Sequence, residues 1–77
     1  MQFVEDISLD LAKKAIAVSK ELDDDTVIDK VANALGASSQ LAEESFMTSV
    51  RVLKAEARAR ALLKDFARKA TQNRAVS

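Results

Sequence analysis

The side chains best placed to do chemistry are carboxylates in the run "ELDDDTVID", residues 21 to 29. Asp23, Asp25 and Asp29 offer oxygen ligands to a hard cation such as calcium. A helix–loop–helix calcium loop starting at Asp23 needs a turn Gly at its sixth position and a bidentate Glu at its twelfth, and those places hold Ile28 and Ala34. The run therefore reads as a helix end followed by a helix start, with Thr26 as the expected N-cap and Asp29 three residues on. A second pair, Glu43 and Glu44, occupies adjacent helical positions that point apart, so the two cannot act on one bond. The chain has no His, Cys or Tyr, the usual bases and nucleophiles. Its lysines stand in polar contexts, and no Gly-rich loop could hold a phosphate. The expectation is a protein that is not an enzyme, with no cofactor and no metal.

Two stretches could meet nucleic acid. "DKVANALGASSQLAEESF", residues 29 to 46, resembles a helix-turn-helix, with Ala32 four positions before Gly36, Val31 and Leu35 as buried aliphatics, and Ala42 six after the glycine. The resemblance covers about 20 residues and implies DNA reading from the start of the following helix. That start carries Ser38, Ser39, Gln40, Glu43 and Glu44, with no cation before Arg51. Two carboxylates facing a phosphate-lined groove oppose binding, so the stretch reads as a packing corner. The second stretch is basic. Arg51, Lys54, Arg58 and Lys69 project on one side of a helix and could follow a phosphate backbone or an acidic protein surface.

The elements that position these residues are helices. There is no Pro, one Gly and a hydrophobic share of 48%, while Ala, Leu, Lys, Glu and Arg dominate and no segment alternates with a period of two. The fold class is all-α, with three helices at about 4–22, 27–35 and 39–70. Together they form a helical hairpin with a long C-terminal helix, within one small domain spanning 1–77 whose residues 71–77 read as a frayed tail. In the first helix Val4, Ile7, Leu11, Ala15, Val18 and Leu22 recur at spacings of three and four and predict the core face. Gly36 is the expected left-handed residue ending the second helix. Ser38 or Ser39 caps the third, which carries acids in its first turns and bases in its last, as the macrodipole favours.

The long helix changes face. At ~100° per residue, Ala42, Phe46, Val50, Leu53 and Ala57 share one side, whereas Val52, Ala55, Ala59, Leu62, Leu63, Phe66 and Ala70 cluster roughly 140° away. The first side predicts the core. The second, which the short helices cannot also cover, predicts a partner interface at Val52, Ala59, Leu62, Leu63, Phe66 and Ala70.

Charge sharpens this expectation. The formal net charge is zero, but residues 1–50 carry ten acids against four lysines, a net of −6, and residues 51–77 carry eight bases against two acids, a net of +6. A chain of this length forms a marginal core and has no cysteine or histidine with which to staple it. The expected partner is a second copy, giving an oligomeric bundle, or a larger protein, with nucleic acid as the alternative. No apolar run approaches the ~20 residues that span a bilayer, and the expected location is the cytosol or the interior of a viral particle.

Overall fold

A computed structural model describes the backbone of residues 3–76 and the side chains of residues 3–74. Three α-helices follow one another: α1 (Phe3–Leu22), α2 (Thr26–Gly36) and α3 (Gln40–Val76). Val4 and Glu5 lie beside the Leu41–Thr48 stretch of α3, and Lys13 and Lys20 beside Leu53 and Arg58. α1 and α3 therefore run in the same direction, with α2 returning between them. α3 continues six residues past the end expected from the sequence, so residues 71–76 of the expected tail are helical, and Ser77 lies outside the described residues.

Each helix end has a local cause. α1 stops at Asp23, whose φ of 52° places it in the left-handed region. There the Asp24 N–H reaches the Ser19 carbonyl at 2.9 Å and the Asp23 N–H reaches Lys20 at 3.2 Å, the paired bonds of a Schellman ending. α2 begins under the Asp24 carboxylate, which accepts the Thr26 N–H at 3.0 Å and the Thr26 hydroxyl at 2.7 Å. Thr26 is thus the capped residue rather than the expected cap: as a hydroxyl donor it satisfies Asp24 and leaves the backbone N–H to the stronger, charged acceptor. α3 begins as the sequence indicates, with the Ser39 hydroxyl oxygen accepting the Ala42 N–H at 3.1 Å.

Gly36 departs from expectation. It is the last helical residue of α2 without positive φ, and Ala37 follows it in right-handed geometry. The Ala37 N–H bonds to the Asn33 carbonyl, and the Ser38 and Ser39 N–H groups both turn back to Leu35. These bonds close the corner without a left-handed residue.

The buried core consists of Ala12 and Ala15 from α1, Ile28 and Ala32 from α2, and Phe46 and Val50 from α3. Leu11, Ile16, Val31, Leu35, Met47 and Leu53 pack around them. The α3 core face is the one expected from the sequence. The α1 face is not. Its buried residues are Ser8, Ala12, Ala15 and Ser19, spaced four, three and four, on a line roughly 70° around the helix from the predicted stripe. Of that stripe Ala15 alone is buried. Val4 and Leu11 are half-buried, and Ile7, Val18 and Leu22 face outward. The physical reason is volume: small side chains let α1 approach α3 closely enough to enclose the Phe46 ring, which has no solvent exposure. Ser19 satisfies its hydroxyl on the Asp25 carboxylate at 3.4 Å.

Past Arg58 no described residue of α1 or α2 accompanies α3. Every described side chain from Lys54 to Arg74 is exposed, and the chain measures 60 × 33 × 13 Å. Its radius of gyration is 17.0 Å, against the ~11.5 Å that a compact chain of this length would have. The second half of α3 is an arm.

Candidate functional site

The six residues expected to form a partner interface all lie exposed on α3. Val52, Leu62, Leu63 and Phe66 remain 60%, 58%, 67% and 57% accessible, and Ala59 and Ala70 beside them are also open. Apolar side chains this large on one side of a solvated helix form a continuous patch. Leu41, also exposed, falls on the same side as the second residue of α3.

The spacing of this face is regular. Thr48, Val52, Ala55, Ala59, Leu62, Phe66, Lys69 and Asn73 follow at alternating intervals of four and three, the repeat that keeps one seam pointed at a partner helix. Leu63 and Ala70 flank it. The signal was present in the sequence; grouping residues by angle alone identified the patch but not its register.

Ion pairs hold the rims of the seam. Both the Nε and an Nη of Arg60 donate to one Glu56 oxygen, at 2.8 and 2.7 Å, and Arg68 reaches Asp65 at 3.3 Å. The Lys69 ammonium sits 5.7 Å from the centre of the Phe66 ring. These exposed contacts steady side-chain positions more than they stabilise the fold.

The four cations predicted to track a partner have different neighbours. Lys54 and Arg58 join Lys13 and Lys20 of α1 around a groove floored by Ile16, Ala17, Leu53 and Ala57. Arg51 instead borders a hollow shared with Glu43 and Glu44, and Lys69 covers Phe66. α1's contribution to the groove, Lys13 and Lys20, was not foreseen, because it depends on how α1 is rotated against α3.

The corner at residues 29–46 presents an acidic leading turn. Gln40 donates to Glu44 at 3.4 Å, and the Glu43 carboxylate lies against Gly36. In the acidic run, the Thr26 hydroxyl and then the Thr26 N–H hold the Asp24 carboxyl below its ordinary pKa, with Lys30 adding a smaller pull against slight desolvation. The Asp24 and Asp25 carboxylates are thus both engaged at a helix boundary. Among the described residues no three His, Cys, Asp or Glu side chains group as metal ligands would, and no helix is long and apolar enough to cross a membrane. Comparison with protein-family models, with characterised proteins and with solved structures gives no match.

Proposed function

We propose that this is a non-catalytic interaction protein, a small regulator, adaptor, inhibitor or assembly component, whose working surface is the apolar seam of the α3 arm. The observation that supports it is the exposure of Val52, Leu62, Leu63 and Phe66 on a helix that outruns its own bundle. Burying each would contribute roughly 1.5–3 kcal/mol, enough together for a micromolar contact after association costs. The cytosol or a particle interior remains the proposed setting. The test is a photo-crosslinking amino acid at Leu63 in cells making the protein. Discrete protein adducts, lost when Leu62 and Phe66 are both replaced by Glu, are the expected result; adducts to nucleic acid alone, or none, would refute the reading.

A second reading has its own observation. The groove ringed by Lys13, Lys20, Lys54 and Arg58 has no acid in its lining and suits an anionic partner, nucleic acid included. Lys13→Glu with Lys54→Glu should abolish salt-sensitive retention of labelled DNA or RNA on a filter. The reading is lost if the unaltered protein shows no such retention at low salt.

A further inference from the structure

We infer that the occupant of the α3 seam is the same seam of a second copy, docked antiparallel so that each seam residue lies across from the partner position whose number makes a sum of 121 with its own. The inference rests on the proposed role of the arm as an interaction surface and adds the partner and the register.

Area argues first that something covers the arm. The chain exposes 6038 Å², whereas a compact monomer of 8.4 kDa would expose about 4,600 Å². The excess, about 1,400 Å², exceeds the ~800 Å² that each partner contributes to a standard interface.

Side-chain volume then fixes direction. In the antiparallel register Ala59 faces Leu62 of the second copy and Ala55 faces its Phe66, and by symmetry each pairing occurs twice. Every large side chain meets a small one, which lets two helices pack closely with filled gaps. Thr48 meets Asn73, polar against polar. Val52 meets Lys69, whose methylene stem can cover it while the ammonium reaches water. A parallel in-register pair would instead stack Phe66 on Phe66 and Ala55 on Ala55, leaving the helices splayed at one end and gapped at the other. It would also place Lys69 on Lys69.

Charge agrees with volume. Antiparallel docking sets Arg58 across the rim from Asp65 of the second copy, twice per dimer; Asp65 is exposed and otherwise held only by Arg68 at 3.3 Å. The same register brings Arg74 within a turn of Glu44 of the second copy. Opposite charges placed in this way select orientation and partner.

The experiment is sedimentation and light scattering of the full chain, joined to two mixing tests. A dimer is expected, reduced to monomer by Leu62→Glu with Phe66→Glu while the helical spectrum of the core persists. Arg58→Glu alone and Asp65→Lys alone should each weaken the dimer about tenfold, because each homodimer then sets two like charges in contact. Mixing the two variants restores both ion pairs and should yield a heterodimer at the original affinity. The protein has no native cysteine, so Ala59→Cys chains mixed with Leu62→Cys chains and oxidised should give mixed disulfides in preference to either homodimer. A chain monomeric at ~200 µM, far above the micromolar affinity argued for the arm, overturns the inference, as do homodimeric disulfides alone or a dimer indifferent to the double Glu variant. If the chain is monomeric while Leu63 still crosslinks to another protein, the second copy is refuted and the arm's role as an interaction surface stands.

Discussion

Phe46 is the residue on which the fold turns. It is the largest fully buried side chain, with no accessible surface, and the alanines of α1 and α2 around it are too small to close over a void. Phe46→Ala should therefore cost about 3–5 kcal/mol, most of the stability of so small a domain. A chemical denaturation midpoint close to that of the unaltered chain would show that the core is organised otherwise. Asp24 gives a second test at the same scale. Its carboxyl titrates below the ordinary aspartate value because Thr26 donates twice to the ionised form. A folded pKa below the unfolded one means that the contribution is complete above the ordinary value, about 3.9, and is lost as pH falls through the folded value. A carboxyl-carbon NMR titration should place the Asp24 midpoint below the ordinary aspartate value, and Thr26→Ala should move it upward. An unmoved midpoint would mean that the hydroxyl bond is absent in solution.

At the level of the helices, the corrections share a cause. Apolar periodicity weights side chains by size, so in α1 it selected Ile7, Val18 and Leu22, yet packing selected the line of Ser8, Ala12, Ala15 and Ser19, where smallness is the advantage. That line also recurs at four-three-four spacing in the sequence, but no hydrophobicity argument ranks serine above isoleucine; only the bulk of Phe46 on the facing helix does. On α3 the buried residues are themselves large, so the core face and the face switch were legible. The prediction is asymmetric: Ala12→Leu should destabilise by about 1–3 kcal/mol or more through overpacking, whereas Val18→Ala, on the outward side, should change stability by less than about 0.5 kcal/mol. Equal effects would restore the original stripe. The helix ends carry the same lesson. The single glycine drew the left-handed assignment to residue 36, while the left-handed residue is Asp23. Asp23→Gly relieves that geometry and should raise the melting temperature by a few degrees. Gly36→Ala should be neutral or stabilising by up to about 1 kcal/mol, since the group its methyl would meet first is the movable end of Glu43. A marked loss from Gly36→Ala would show that the corner needs glycine after all.

For the whole molecule, the decisive contrast lies between a compact three-helix body and an arm that contacts none of it. Protection of backbone amides against exchange should follow that division. Most helical stability in proteins comes from tertiary packing of an apolar face rather than from propensity, and residues 59–76 of α3 have no such packing in the isolated chain. Core amides around Ala12, Ala32 and Phe46 open only with global unfolding, so their exchange should be slow and independent of protein concentration. Arm amides from Ala59 to Ala70 should be protected only in proportion to the fraction of chains that are paired, and dilution should release them while the core stays closed. Salt should act on the same amides, because the screening length falls from about 10 Å at 0.1 M to about 3 Å at 1 M, which weakens the attraction between Arg58 and Asp65 across the rim. The Leu62→Glu, Phe66→Glu chain should show the diluted pattern at every concentration, with core protection unchanged. Arm amides that stay as protected as the core at all concentrations, in the unaltered chain and the double variant alike, would mean that the arm is stable by itself or folds back on its own body, and the division of the molecule into body and arm would fail.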